Sequence, residues 1–174
     1  KQYQNQDIVL ILIYWVIKIY IENQMKVVIQ RVKSSKVEVN NKIIGQIDHG
    51  ILVLVGIALN DDKTDAEWIS NKVLNLRIFD DENGIMNKSL IDVGGNILVI
   101  SQFTLIASTK KGNRPSYINS AGHEIAIPLY EYFIKICEEK LGREVSSGEF
   151  GADMKVSLIN DGPVTIVIDS KSKD

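Results

Sequence analysis

One cysteine, Cys137, is all the 174-residue chain has, which excludes an internal disulfide and a thiolate metal site. A reducing compartment, the cytoplasm, is the matching expectation. The two histidines, His49 and His123, stand far apart, and no group of ligand-type residues has metal spacing. Neither a metal nor another cofactor is therefore expected. Charge of one sign is also missing: the formal net charge is −2, so no global positive field draws nucleic acid. Any RNA contact must come from a local patch, or from a short end read by its shape. A membrane-length apolar run is absent too. Ile8 to Ile17 is apolar throughout, but Lys18 interrupts before Ile19, Tyr20 and Ile21, short of the ~20 residues a spanning helix needs. No basic cluster precedes this stretch and no small-residue cleavage site follows it, as a signal peptide would require. Residues 1–24 still differ from everything after them, and the chain begins at Lys1. The expectation is a leader outside the core, with one domain from Met25 to Asp174. A targeting role is the alternative. No membrane partner is expected.

What is present reads as an ordinary soluble domain, 45% hydrophobic and 24% charged, long enough for its own core. From Met25 the pattern is α+β. Lys26 to Lys33 is a strand with Val28, Gln30 and Val32 on one face, and Val37 to Ile47 a hairpin turning at Asn40-Asn41. Leu52 to Leu59 suits a central strand. Asp61, Asp62 and Thr64 offer caps for a first helix, in which Ala66, Ile69, Val73 and Leu76 recur at helical spacing. Asp80 to Gly84 is read as a polar turn, and Ile97 to Ile100 as a buried strand. A second helix carries Ala126, Leu129 or Tyr130, Phe133, Cys137 and Leu141, with Pro128 expected in its first turn and Gly142 just past its end. Two final strands, Lys155 to Ile159 and Val164 to Ile168, flank a turn at Asn160-Asp161-Gly162-Pro163, and the tail from Ser170 is expected to fray. There is no internal repeat and no linker.

Two segments carry candidate chemistry. Ser101-Gln102-Phe103-Thr104 ends a strand in hydroxyl, amide and hydroxyl side chains at a sheet edge. Such a group can form an oxyanion site for acyl transfer, where each well-aimed donor is worth ~3 kcal/mol. The plainer reading is a capped strand end. A hydroxyl nucleophile also needs a base, and neither histidine lies in a motif beside it, so a Ser-His-Asp machine is disfavoured. In Asn160-Asp161-Gly162-Pro163-Val164-Thr165 the common reading is a turn with a trans proline, and a cis bond is the sharper one.

The sequences SQFTL at 101–105 and NDGPVT at 160–165 closely resemble the two signature motifs of D-aminoacyl-tRNA deacylases. The similarity extends through Val28 to Val32, Gly50 to Gly56, Arg77-Ile78-Phe79, Met86-Asn87, Arg114 to Tyr117, Tyr130 to Phe133 and Gly148 to Met154. It covers Met25 to Asp169; the leader is what departs. The resemblance implies a barrel-like mixed sheet with two main helices, and an enzyme that hydrolyses the ester of D-aminoacyl-tRNA. It implies a homodimer, in which Gly162 and Pro163 form a Gly–cis-Pro motif that enters the partner's site, with Arg31 holding it. Asn160, Val164 and Thr165 neighbour that motif. Ser101, Gln102, Phe103 and Thr104 would line the ester carbonyl, with main-chain N–H groups as oxyanion donors.

An aminoacyl ester is already activated, so positioning and modest electrostatic help matter more than a strong base. Assistance by the 2′-hydroxyl of the terminal adenosine is therefore preferred to attack by Thr104. A filter for handedness must ignore the side chain's identity, and rigid main-chain carbonyls can do so by blocking an L side chain. Lys110, Lys111 and Arg114, with no acid between Ile106 and Tyr117, are candidates for contact with the tRNA acceptor end, the alternative being a solvated loop. A related deacylase acting on L- or achiral aminoacyl-tRNA, or a non-catalytic RNA-binding module, are the competing functions. Intact SQFTL and NDGPVT argue for the D-specific branch, and the presence of Gln102, Gly162 and Pro163 argues against the non-catalytic module. Cys137 is read as an inert core thiol.

Overall fold

A computed structural model describes residues 24–171 of the chain. The expected leader lies outside those described residues except for Gln24, which is buried. Strand β1 (Lys26–Val39) organises the fold, because its two halves pair with different neighbours. Along one edge its first half runs antiparallel to β3 (Gly50–Gly56) and its second half to β2 (Lys42–Ile47). Along the other edge it pairs with β8 (Met154–Asp169). Asn40 and Asn41, between β1 and β2, both have positive φ, 50° and 61°, as a two-residue hairpin turn of primed type demands. The continuous apolar run of β3 follows from its place, with β1 on one side and the parallel strand β6 (Asn96–Ser101) on the other. Beyond β6 lies the short parallel strand β7 (Ser146–Ser147). Ser146 Oγ donates to the Gln46 carbonyl of β2 at 3.0 Å, so the sheet curls until its ends nearly meet.

The pleat sorts β3 and β6 between two cores. Their even-numbered residues, Leu52, Leu98 and Ile100, join Val32, Val37 and Ile47 inside the curl. Their odd-numbered residues, such as Ile51, Val53 and Val99, face outward to meet two helices. These are α1 (Lys63–Asn75), through Ala66, Ile69 and Val73, and α2 (His123–Leu141), through Leu129, Phe133 and Cys137. Asp62 caps α1: its carboxylate accepts from Thr64 N at 2.8 Å, while Asp65 accepts from Asp62 N at 3.1 Å. Gly142, at φ 66°, ends α2. The architecture is α+β, a nearly closed mixed sheet with two main helices.

Three expectations need correction. The Asn160–Pro163 segment does not turn between two strands; it is a bulge within the single strand β8. Both flanks pair with β1, and the register slips between Gln30 and Val32 and again between Val32 and Ser34. Pro128 lies inside α2, as its sixth residue, beyond the first turn. The helix continues through it because Ala126, Leu129, Tyr130 and Phe133 are buried, which offsets the one hydrogen bond its nitrogen cannot make. The polar turn expected at Asp80–Gly84 is present, as the connection of a small hairpin of β4 (Phe79–Asp80) and β5 (Met86–Lys88), with Gly84 N donating to the Asp81 carbonyl at 3.0 Å. Finally, Ser170 is not frayed: it is buried, and its N–H donates to the Met25 carbonyl at 3.0 Å. No helix among the described residues is long and apolar enough to cross a membrane.

Candidate active site

Ser101 is the last residue of β6, paired with Val55, and Gln102 N donates to the Val55 carbonyl at 2.7 Å. The chain then leaves the sheet in one 3-10 turn, Phe103–Ile106. β6 runs between β3 and β7, but β7 pairs only with Leu98 and Val99, so at Ser101 the strand has β3 alone as its ladder partner among the described residues. The first N–H groups of such a turn find no partner within it, so Phe103 and Thr104 present main-chain donors here. Gly56 makes the turn possible: a Cβ there would lie 2.8 Å from Leu105 Cβ and 3.0 Å from the Gln102 carbonyl oxygen.

Beside this turn opens a cleft of about 670 Å³. Ser101, Gln102 and Phe103 line it, together with His123, Phe150 and Met154. Thr104 is not among its lining residues; its hydroxyl accepts from Gln102 Nε2 at 2.6 Å. Three of the four motif residues thus reach the cleft. His123 lines the same cleft, which corrects the expectation that neither histidine stands near the motif. The segment after the 3-10 turn folds back, with Ser108 and Ser116 exchanging main-chain hydrogen bonds and Ala121 N donating to the Ile57 carbonyl at 3.0 Å. That return carries His123 to the cleft wall, where its ring meets Phe150 edge-on at 5.6 Å. Nothing in its local sequence signals this, because the approach depends on a long-range main-chain bond.

Phe150 is backed by Tyr130, whose ring centroid lies 5.8 Å away and whose hydroxyl donates to the Val99 carbonyl at 2.8 Å. Burial raises the Tyr130 phenol above its ordinary range, so it acts as a fixed donor. Burial also pushes the Cys137 thiol up to about 12, which makes it inert. Lys110, Lys111 and Arg114 are exposed on the returning loop, near Tyr117, which lines the cleft and packs edge-on against Phe103 at 5.1 Å.

The second motif lies elsewhere. The Gly162–Pro163 peptide is cis. Both residues are exposed, and neither lines the cleft beside Ser101. The bulge hangs on buried Arg31, whose Nε donates to the Asp161 carbonyl at 3.0 Å while Nη1 donates to the Ile78 carbonyl at 2.6 Å. The same guanidinium faces the carboxylates of Asp161 at 3.3 Å and Asp80 at 3.5 Å. Gln30 Nε2 donates to Asn160 Oδ1 at 3.0 Å. Val164 is buried, whereas Thr165, opposite Gln30, is exposed. Among the described residues no group of three or more His, Cys, Asp or Glu could hold a metal ion.

A family profile described as D-Tyr-tRNA(Tyr) deacylase matches residues 28–169. A D-aminoacyl-tRNA deacylase of Phocaeicola vulgatus is 59% identical over 150 residues, which span 86% of this chain and 100% of the relative. A D-aminoacyl-tRNA deacylase of Clostridium tetani is 62% identical over 147 residues, 84% of this chain and 98% of the relative. Among solved structures, a c-Myc DNA Unwinding Element Binding Protein superposes with a TM-score of 0.78 at 40% identity, covering 82% of this chain and 97% of that one. A probable eukaryotic D-amino acid tRNA deacylase superposes with a TM-score of 0.74 at 18% identity over 84% of this chain and 99% of that one, which speaks for the fold alone.

Proposed function

The chain belongs to the D-Tyr-tRNA(Tyr) deacylase family, and we propose how its site performs and polices that reaction. It is a hydrolase that removes the amino acid from D-aminoacyl-tRNA. In the proposed mechanism the domain from Met25 onward works in the cytoplasm as a homodimer. The ester carbonyl lies beside Ser101, Gln102 and Phe103, and its oxygen takes main-chain N–H groups of Phe103 and Thr104 as the oxyanion forms. Water, guided by the terminal ribose 2′-hydroxyl, adds to the carbonyl carbon. The bond to the ribose 3′-oxygen then breaks, and that oxygen takes up a proton. Thr104 is left out as nucleophile, because its hydroxyl is engaged by the Gln102 amide outside the cleft. Lys110, Lys111 and Arg114 approach the acceptor-end phosphates as cations.

The observation that carries the dimeric filter is a separation. Gly162 and Pro163 stand exposed on a strand bulge and do not line their own protomer's cleft. Serving the partner's cleft gives them a use there. Their carbonyls, fixed through Arg31, then exclude an L side chain at the α-carbon. Glycine has no side chain to exclude, so Gly-tRNA is cleaved as well. At equal enzyme concentration, D-Tyr-tRNA and Gly-tRNA should lose their ester while L-Ala-tRNA is spared, and sedimentation at micromolar concentration should show a dimer. Resistance of Gly-tRNA alongside brisk D-Tyr-tRNA cleavage would mean that the pocket selects the D side chain positively. An active monomer would end the cross-subunit arrangement.

A further inference from the structure

The ladder that holds β6 on its β7 side stops short of the reactive turn. β7 pairs with Leu98 and Val99, and just past it Gly148 N donates to the Val99 carbonyl at 3.0 Å. Alternate N–H groups of a strand point to opposite neighbours. Gln102 N donates to Val55 on β3, so Ser101 N faces the side that β7 has already left. A strand end that lacks a ladder partner opens easily, and this one leads straight into the oxyanion donors. A side chain takes the place of the next strand residue. Tyr130 of α2 is buried, and its hydroxyl donates to the same Val99 carbonyl at 2.8 Å. The main-chain N–H groups of Ser101 and Gly148 act on the same phenol oxygen. A hydroxyl has one proton to give and two lone pairs to accept with, so one atom can serve all three groups.

Phe103 N and Thr104 N follow Ser101 by two and three residues. Their aim at the oxyanion depends on where β6 delivers the chain, and small misplacements of such donors are costly. We propose that Tyr130 is a positioning residue for the hydrolysis: its hydroxyl completes the ladder of β6 at Ser101 and so sets the N–H groups of the 3-10 turn. This rests on the deacylase reading, and it gives the turn an anchor outside both sequence motifs. Tyr130 does not line the cleft, so its effect falls on the chemical step and not on substrate binding.

Three proteins separate the possibilities. Beside wild type stand Tyr130→Phe, which keeps the ring against Phe150 without the hydroxyl, and Tyr132→Phe, which removes an exposed hydroxyl bond to Glu67 from the same helix. Each is assayed for kcat and KM on D-Tyr-tRNA, and amide hydrogen exchange is followed at Ser101. Tyr130→Phe should lower kcat about tenfold with KM within about twofold, and its Ser101 N–H should exchange about tenfold faster than in wild type. Tyr132→Phe should match wild type in all three. A hydroxyl that serves stability alone would lower Tm and leave kcat per folded molecule unchanged, and that result overturns the proposal. So does a rise in KM at unchanged kcat, which would assign the hydroxyl to substrate binding. Wild type gives a second check that needs no variant: a Ser101 N–H that exchanges as fast as an unpaired strand end has no partner in Tyr130, and the proposal falls. A wild type inactive on D-Tyr-tRNA while Ser101 is protected would instead overturn the deacylase reading, and the catalytic part of the proposal with it.

Discussion

Ser101–Thr104 and Asn160–Thr165 are both polar breaks in strands, yet they are held by opposite means. The first is fixed by main chain and core. Gln102 is tied to Val55, the turn is pressed against Gly56, and the preceding Val99 and Ile100 are fully buried. The second is exposed and depends on side chains reaching from β1, chiefly Arg31 and Gln30. A turn anchored in the core tolerates little and moves little. Under the proposed cross-subunit arrangement the second segment must leave its own core, so one buried cation does there what packing does at the first site. Mutations should therefore act differently in the two places.

The largest effect is expected at Arg31. Arg31→Gln removes a charged donor from the Asp161 and Ile78 carbonyls and leaves the Asp161 carboxylate without its main partner. The Asp80 pair adds little, because that carboxylate is 52% exposed. A loss of about 2–4 kcal/mol in urea unfolding is expected. The surviving folded protein should hydrolyse L-Ala-tRNA measurably, since the bulge is no longer pinned. Unchanged selectivity in a folded Arg31→Gln protein would show that the bulge holds its own shape.

The two regions were also unequally legible. The buried strands at Leu52 to Leu59 and Ile97 to Ile100 are legible because a short, continuous apolar run suits a strand covered on both faces, and the motif after β6 follows at the end of one of them. The Asn160–Pro163 segment was misread. Its residues are those of a turn, and only the pairing of both flanks with one continuous strand makes it a bulge. Pro128 misled for a related reason: local propensity spoke for a helix start, and burial of the surrounding face decided otherwise. His123 was invisible as a cleft residue, because a fold-back closed by Ala121 and Ile57 brings it there. Residues placed by period were legible; those placed by distant main-chain bonds were not.

Gly56→Ala tests the core-held side. The new methyl would press on Leu105 and on the Gln102 carbonyl, 2.8 and 3.0 Å away. Overpacking of this kind costs about 1–3 kcal/mol, and the displaced turn should lower kcat on D-Tyr-tRNA about tenfold, since donor placement governs the oxyanion. Rejection of L-Ala-tRNA should stay intact, the reverse of the Arg31 variant. A Gly56→Ala protein that leaks L-substrate would break the division between the two regions. Thr104→Ala should do less. Its hydroxyl only receives the Gln102 amide, so activity within about tenfold of wild type is expected. A folded, tRNA-binding but dead variant would restore Thr104 as nucleophile.

The smallest effect concerns Asp61, which belongs to the core-held side. Its carboxylate accepts from Ala58 N at 2.6 Å and Met25 N at 2.8 Å, fastening the chain just after β3 to the start of β1. Burial raises its pKa to about 7, the negative charge of Asp65 adds to the rise, and the two N–H donors and Lys171 oppose it. With a folded pKa above the unfolded value, the folded state holds the extra proton between them. The stabilisation is therefore full below pH 3.8 and is lost as pH rises toward about 7. Asp62, Asp81 and Asp92 have lowered values and act with the opposite sign, but their loss falls below the ordinary carboxylate range, outside this window. Because two N–H groups already satisfy the charged carboxylate, about 1 kcal/mol is expected, roughly 2–4 °C in Tm for a chain of this size. Asp61→Asn cannot titrate, so the difference between wild type and variant isolates the slope from every other group. Wild type should lose those degrees relative to Asp61→Asn between pH 4 and pH 7. The ratio of D-Tyr-tRNA to L-Ala-tRNA cleavage should not follow that curve, because Asp61 fastens main chain remote in sequence from the Asn160–Thr165 bulge. Parallel Tm curves for the two proteins would refute the raised value at Asp61. A selectivity ratio that tracked the Tm difference would show that the exposed filter draws on the core after all.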